Sequence, residues 1–92
     1  MTVTLAIPTM LAQLTGAKRV TVDADTVGGA LRALIARHPE LQVHVFDETG
    51  ALRTHLRLFH NEDTAHSLDE GVADGDTVTI LQAVSGGAGE SG

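Results

Sequence analysis

The sequence of 92 residues contains no cysteine, tryptophan or tyrosine. The absence of cysteine excludes disulfides, thiolate-bound zinc and a cysteine nucleophile. Its aromatic side chains are two phenylalanines, so a hydrophobic core has to be built from aliphatic residues. With 42% hydrophobic residues, the chain is still apolar enough to fold, and its length suits one small domain.

Positive charge is scarce as well. Six lysines and arginines stand against twelve acidic residues, which gives a formal net charge of −6. This balance argues against binding to nucleic acid or to an anionic membrane surface, because both attract basic proteins. An acidic protein suits a partner with a basic docking face. We find neither an apolar run of membrane-spanning length nor the features of a signal peptide, so we expect a cytoplasmic protein.

The start of the sequence predicts two paired strands. Apolar and polar residues alternate from Thr2 to Ile7, which is typical of a half-buried strand, and Pro8 ends it because proline cannot donate to a strand ladder. A connector over residues 9–16 leads to a second strand over residues 18–22. We expect the two strands to form a hairpin.

A helix is predicted next. Asp25 or Thr26 can serve as its N-cap, and apolar residues recur at helical spacing from Val27 to Ile35. Pro39 stops this helix. The pair Gly28-Gly29 in the first turn indicates close packing of the helix on the sheet; a phosphate-binding loop is the alternative, but the pair fits no phosphate motif.

The middle of the chain is less regular. Residues 40–54 predict a short strand or a turn over the core, followed by a loop. Residues 53–61 predict another strand, in which Leu56 and Leu58 share one face. The alternation does not decide which face is buried.

The last third predicts a short edge strand over residues 64–67, one helical turn within residues 68–73, and a turn at Asp74-Gly75-Asp76. The final strand is predicted over residues 77–84. We expect it to point Val78 and Ile80 into the core, and Leu81 and Ala83 to the opposite face.

This order of elements predicts an α+β protein: a β-grasp (ubiquitin-like) roll, with a mixed sheet and one main helix. The last strand is expected to lie centrally beside the first. Residues 1–84 would form this domain and residues 85–92 a flexible Gly-rich tail, since the tail lacks large apolar side chains. Either the tail is idle, or its Gly86-Gly87 backbone threads into a narrow site of another protein.

Five segments together carry a family resemblance. The first is Val3–Thr9 taken together with Leu14–Gly16, and the other four are Asp25–Val27, His60–Asp63, Asp74–Leu81 and Ala83–Gly87. In this combination the sequence resembles the ubiquitin-like sulfur carriers of thiamin and molybdopterin biosynthesis, and most of all the cysteine-synthase-linked sulfur carriers of actinobacteria.

The resemblance implies a function for the end of the chain. Most such carriers end at the second glycine, whereas residues 88–92 follow it here, so a JAMM-type zinc peptidase would cut between Gly87 and Ala88. An ATP-using E1-like enzyme would then adenylate the Gly87 carboxylate, with Ser85 and Gly86 threaded into its site. A sulfur donor would convert the adenylate into a thiocarboxylate. A biosynthetic enzyme would accept that sulfur for cysteine or a sulfur-containing metabolite.

The resemblance also implies that the protein is a carrier and not an enzyme, with no catalytic residue and no cofactor of its own. It would dock on its partners through exposed apolar residues of the outer sheet face. Leu81 is the first candidate because it lies on the strand that leads to Gly87, and Leu56 or Leu58 come next.

Several other interpretations compete. His55, His60 and His66 fall on a predicted hairpin, but their spacing matches no zinc motif, and we expect no metal. The pairs Asp23/Asp25 and Asp74/Asp76 flank turns, where aspartate bonds to backbone amides, so acid–base catalysis is disfavoured. A ubiquitin-like modifier joined through Gly87 to a lysine of another protein, and a non-catalytic β-grasp binding module, remain open as alternatives.

Overall fold

The structure is a computed structural model that describes residues 1–82. The predicted tail, residues 85–92, and the predicted domain boundary at residue 84 lie outside the described residues. Within residues 1–82, the chain forms five strands, three α-helices and one 3₁₀ helix. In chain order these are β1 (Thr2–Ala6), α1 (Thr9–Thr15), β2 (Arg19–Asp23), α2 (Val27–Arg37), the 3₁₀ helix (Pro39–Leu41), α3 (Gln42–Val45), β3 (Leu56–His60), β4 (Asp63–Thr64) and β5 (Thr77–Gln82).

The strands form one mixed sheet in the order β2-β1-β5-β3-β4. β1 and β5 are parallel, and the remaining pairs are antiparallel. The last strand therefore lies in the centre of the sheet beside the first, as the order of elements predicted. This is the β-grasp arrangement, and α2 is its main helix.

The core lies between the sheet and α2 and is aliphatic apart from Phe46, in line with the composition. Val3 and Leu5 on β1 and Leu31 and Leu34 on α2 are each 0% exposed. Burial alternates along β1 and recurs every three or four residues along α2, which matches the two periodicities of the sequence. The opposite face of the sheet is open to solvent.

The start of α2 confirms the predicted cap. The Gly29 backbone N–H donates to the Thr26 hydroxyl at 2.9 Å. The Gly28 N–H donates to the Leu68 carbonyl at 2.7 Å, and a Cβ on Gly28 would lie 2.9 Å from that same oxygen. Close packing at Gly28 is therefore real, but its partner is the segment between β4 and β5 and not the sheet.

The predicted connector after β1 is wrong, since residues 9–15 form α1. This helix is too short to show a helical period in the sequence, and it is defined by its ends. Pro8 stands before its first turn, and Gly16 closes it with a φ of 78° while its N–H donates to the Ala12 carbonyl at 2.8 Å. β1 and β2 thus pair across a helical connection instead of a tight turn.

Two further predictions need correction. Of the short strand or turn predicted over the core, residues 39–45 form helical turns and no strand, and these turns bring both Leu41 and Val45 to 0% exposure. Residues 68–73 contain no helical turn. Their backbone instead bonds to the start of α2, where the Val27 N–H donates to the Glu70 carbonyl at 2.9 Å. The edge strand β4 is also shorter than predicted and begins earlier.

No helix within residues 1–82 combines the length and the hydropathy that crossing a bilayer demands.

Candidate functional site

β5 is the element that leads to the predicted reactive end of the chain. It is hydrogen-bonded to β1 on one side and to β3 on the other, where Gln82 is in register with Leu56. Gln82 is the last described residue. The predicted processing and adenylation site at Gly87 and Ala88, and the threading residues Ser85 and Gly86, lie outside the described residues and stay predictions.

The structure corrects two of the three docking candidates. Leu56 is 3% exposed and Leu58 is 6% exposed, and both belong to the hydrophobic core under α2. The alternation along β3 correctly put them on one face, but that face is covered by the helix. Neither leucine lies on the open face of the sheet beside Leu81.

Leu81 lies on the open face of the sheet and is 45% exposed. Its register partner on β3 is Arg57. Two residues further along each strand, the next pair on the same face is Phe59 on β3 with Thr79 on β5. Phe59 is half-buried. Ala6 on β1 is the other register partner of Thr79. We call the exposed surface formed by Ala6, Arg57, Phe59, Thr79 and Leu81 the outer-face patch.

The outer-face patch differs in charge from the rest of the protein. Within the described residues, the outward positions of β1, β3 and β5 carry no acidic side chain, and Arg57 stands opposite Leu81. Arg19 on β2 is in register with Ala6 and adds a second exposed cation. The formal charge of −6 therefore lies elsewhere on the molecule. A basic docking face on the partner, expected from net charge, does not match this patch.

The acidic turn before β5 has a structural role. Gly75 has a φ of 88°, and Asp74 accepts a hydrogen bond from the Thr2 N–H at 2.7 Å. These contacts fix the start of β5 against β1, in agreement with the interpretation of the aspartates as turn residues. Among residues 1–82, no three histidine or carboxylate side chains are grouped so that they could hold a metal ion.

His60 is one of the three histidines whose spacing matches no zinc motif, and the structure places it between two carboxylates. Its Nδ1 lies 2.7 Å from Glu70 Oε2 and its Nε2 lies 2.6 Å from Asp76 Oδ2. The hydrogen bonds to Asp76 and Glu70 raise the pKa of His60, and the His60 hydrogen bond lowers the pKa of Asp76 to about 2. No short-range pattern relates residues 60, 70 and 76, so no feature of the sequence predicts this cluster.

The geometry thus combines a small roll, an exposed leucine beside an arginine on the outer sheet face, and a central strand that precedes Gly86-Gly87 in the sequence. Comparison of the sequence with known protein families shows the family to which the chain belongs. The protein matches the ThiS family over residues 6–87, which is most of the chain.

The protein belongs to the ThiS family.

Among the curated relatives of this ThiS-family protein is small archaeal modifier protein 1 of Haloferax volcanii. It is 41% identical over 80 residues, covering 84% of this chain and 91% of that protein. The sulfur carrier protein CysO of Mycobacterium tuberculosis is 36% identical over 93 residues, covering 95% of this chain and all of that protein. The ThiS-family protein is thus similar both to a named modifier and to a named sulfur carrier.

Solved structures give the same result for the fold. The crystal structure of the Haloferax volcanii modifier superposes on this ThiS-family protein with a TM-score of 0.85 at 36% identity, covering 94% of this chain and 99% of that one. The BexX/CysO complex of Amycolatopsis orientalis contains a chain that matches with a TM-score of 0.81 at 33% identity, covering 91% of this chain and 98% of that one. The relatives are small carrier and modifier proteins rather than catalysts.

Proposed function

We propose that this protein is a sulfur carrier whose Gly87 carboxylate is adenylated by an E1-like enzyme and converted into a thiocarboxylate. The sulfur is then donated in the biosynthesis of cysteine or of a sulfur-containing metabolite. The observation that carries the proposal is the match to the ThiS family, which extends to Gly87. β5, which is paired on both sides in the sheet, immediately precedes residues 83–87 in the sequence.

The chemistry needs little from the carrier itself. The Gly87 carboxylate attacks the α-phosphate of ATP, and pyrophosphate leaves. The sulfur donor then attacks the acyl carbon, AMP leaves with the electron pair of the broken bond, and a carbon–sulfur bond replaces a carbon–oxygen bond. The protein provides a terminus and a docking surface, while the partner provides ATP, acid–base groups and exclusion of water. The use of ATP suits a cytoplasmic location.

We propose that residues 88–92 are removed before activation, because the adenylation needs a free carboxylate on Gly87. The ThiS-family match stops at residue 87 and leaves these five residues outside it. A JAMM-type zinc peptidase acting between Gly87 and Ala88 would supply the required terminus.

We assign partner docking to the outer-face patch, with Leu81 as its centre. Exposed apolar side chains gain most from burial in a partner, and Leu81 is 45% exposed on the strand that leads to Gly87. Arg57 beside it favours a partner surface with carboxylates around an apolar centre. The CysO relative of Amycolatopsis orientalis was crystallised in complex with BexX, which supports docking of this protein on a partner protein.

A second function, protein modification through Gly87, is favoured by one observation. The chain is 41% identical to small archaeal modifier protein 1. In this case the acyl-adenylate would transfer to the amine of a lysine on another protein, with release of AMP and a proton. Linkage of one copy to another through a lysine could use Lys18 alone, since the sequence has no second lysine.

The test uses a version of the protein that ends at Gly87, incubated with an E1-like enzyme of the same source, ATP and a sulfide donor. Intact mass spectrometry should show a gain equal to the replacement of one oxygen by sulfur. The full chain without peptidase is the control and should keep its mass. In a second reaction, cell lysate is added as a source of target proteins. Conjugates of higher mass that form with the version ending at Gly87, but not with a version ending at Gly86, would favour the modifier instead. An unchanged mass in every reaction would leave a β-grasp binding module.

A further inference from the structure

His60 lies at the end of β3, and both nitrogens of its ring contact carboxylate oxygens. Nδ1 is 2.7 Å from Glu70 Oε2, and Nε2 is 2.6 Å from Asp76 Oδ2. A neutral imidazole carries one N–H and can donate to one of these groups, whereas its other nitrogen would present a lone pair to a carboxylate. The observed geometry therefore requires the doubly protonated imidazolium. The three side chains are 17%, 25% and 19% exposed for His60, Glu70 and Asp76, so water screens them only in part.

The two carboxylates belong to one stretch of chain, residues 65–76 between β4 and β5, which we call the crossover segment. Each carboxylate also holds the backbone of that segment. Glu70 Oε1 accepts from the His66 N–H at 3.0 Å, and Asp76 Oδ2 accepts from the Ala73 N–H at 2.8 Å. His60 thus ties two separate points of the crossover segment to β3.

The other side of the crossover segment is bonded to the start of α2. The Val27 N–H donates to the Glu70 carbonyl at 2.9 Å, and the Val72 N–H donates to the Asp25 carbonyl at 3.0 Å. The first of these bonds satisfies an amide of the first helical turn that would otherwise need water or a cap. The crossover segment therefore bridges the sheet and the helix, and Glu70 takes part in both attachments.

A largely apolar cleft of about 280 Å³ lies beside this segment, where β4 ends. Leu56, Leu58, Ala65 and Leu68 form much of its lining. The crossover segment is one wall of the cleft. Movement of the segment away from β3 would therefore widen the cleft and expose part of the core.

We propose that His60 is a pH-dependent clamp on the crossover segment. In its protonated form it holds Glu70 and Asp76 together and fastens the segment to β3. When the imidazolium loses a proton, one of the two hydrogen bonds is lost. The deprotonated ring nitrogen then presents its lone pair to a carboxylate, and the two repel each other. The segment then opens locally over residues 65–73 while the sheet and the part of α2 beyond its first turn stay folded.

The charged groups around His60 set the direction of this dependence. Glu70 and Asp76 face it from the crossover segment, Asp63 is its register partner on β4, and His66 lies next to Glu70. The hydrogen bonds to Asp76 and Glu70 raise the pKa of His60 above its ordinary value of about 6.5. The clamp is thus complete below pH of about 6.5 and is lost as the pH rises through the raised pKa. The pKa values of Glu70 and Asp76 are lowered, so both carboxylates stay ionised through that range.

The test measures amide hydrogen exchange of the full chain by NMR between pH of about 5 and 9, corrected for the intrinsic pH dependence of exchange, together with the His60 ring titration. Protection of residues 65–73 should fall as the pH rises through the pKa of His60. The total fall should be about tenfold for each pH unit by which the His60 pKa in the closed segment exceeds its pKa in the opened segment. Protection of Leu31 and Leu34 in α2 should not follow that curve, because the opening is local.

Glu70→Gln is the variant that decides the matter. Glutamine keeps an acceptor for the His66 N–H but removes the negative charge, so the His60 pKa should fall and the protection of residues 65–73 should lose most of its pH dependence. His44→Gln, an exposed histidine on α3, is the matched control and should behave like the unaltered protein. The proposal is overturned if His60 titrates at its ordinary pKa, if α2 loses protection in parallel, or if Glu70→Gln leaves the pH dependence intact. None of these readouts depends on sulfur transfer.

Discussion

Leu81 is 45% exposed, while its neighbour Ile80 is 1% exposed. Successive side chains of a strand point to opposite faces, so Ile80 faces the core under α2 and Leu81 faces solvent. Leu58, in register with Ile80, is buried for the same reason. The assignment of docking to Leu81 therefore depends on its face of the sheet and not on its being a leucine.

Replacing Leu81 with alanine should weaken binding to the E1-like enzyme by roughly tenfold, equal to about 1.4 kcal/mol, because a central apolar contact is lost. The stability of the free protein should change by less than about 0.5 kcal/mol, since an exposed side chain is removed. Isothermal titration calorimetry and urea unfolding measure the two quantities.

Val43→Ala is the matched control for this prediction. Val43 is 63% exposed, but it lies on α3 and not on the sheet. It should bind the enzyme with the affinity of the unaltered protein. If the two variants lose affinity equally, or if Leu81→Ala loses none, the assignment of docking to the outer-face patch is wrong.

Gly28 illustrates a different constraint on a single residue. Alanine is normally preferred to glycine inside a helix by about 1 kcal/mol. Here the added Cβ would lie 2.9 Å from the Leu68 carbonyl oxygen, which is a backbone atom and cannot turn away. We expect Gly28→Ala to destabilise the protein by about 1–3 kcal/mol in urea unfolding, in spite of the propensity gain.

Gly71→Ala is the comparison for Gly28→Ala. A Cβ at Gly71 would lie 3.9 Å from the Asp25 carbonyl oxygen, which is an ordinary contact. This variant should keep the stability of the unaltered protein within about 0.5 kcal/mol. A stabilised Gly28→Ala would show that the crossover segment yields easily at Leu68.

At the scale of elements, α2 depends on a cap that is partly supplied from outside the helix. The Thr26 hydroxyl accepts from the Gly29 N–H at 2.9 Å, and carbonyls of the crossover segment accept from Val27 and Gly28. The side-chain cap and the long-range backbone bonds therefore satisfy different amides of the same first turn. This combination offsets the poor helix propensity of Gly28-Gly29.

Thr26→Ala should destabilise the protein by about 1 kcal/mol, the usual effect of losing a side-chain N-cap. Urea unfolding followed by far-UV circular dichroism measures it. Thr26→Ser keeps the hydroxyl and should restore nearly all of the stability. If the serine variant is as unstable as the alanine variant, the methyl group of Thr26 and not its hydrogen bond is what stabilises α2.

At the scale of the whole molecule, hydrogen bonds to carboxylates make the free energy of unfolding decrease at acid pH. The pKa of Asp76 is lowered to about 2 by hydrogen bonds from His60 and the Ala73 N–H, and that of Glu70 is lowered by the His66 N–H and His60. A lowered carboxyl pKa contributes stability above the unfolded value of about 4, and this contribution is lost as the pH falls toward the folded value. Taken with His60, stability should be greatest between pH of about 4.5 and 6.5.

The free energy of unfolding of the unaltered protein should thus decrease between pH of about 4 and 2. Asp76→Asn should be less stable at pH of about 5 and should show a flatter decrease, because the asparagine does not titrate. Urea unfolding at a series of pH values measures both. Glu48→Gln, on the exposed loop between α3 and β3, should keep the acid dependence of the unaltered protein. Parallel curves for Asp76→Asn and the unaltered protein would contradict the assignment.

The sequence by itself was enough to predict the fold and the family. The apolar alternation of β1 and β5, the helical period and cap of α2, and the Asp-Gly-Asp turn are each local patterns, and such patterns report secondary structure directly. Their order identified the β-grasp roll and the central position of β5. The segments ending at Gly87 pointed to the family that the comparison then showed.

The tertiary structure alone decided the features that join distant parts of the chain. Alternation states which residues share a face, but only packing under α2 shows that Leu56 and Leu58 are covered and Leu81 is not. The contact of Gly28 with Leu68 and the cluster of His60, Glu70 and Asp76 link residues ten to forty positions apart. No periodicity encodes such contacts, because they arise when separate elements meet around a common core.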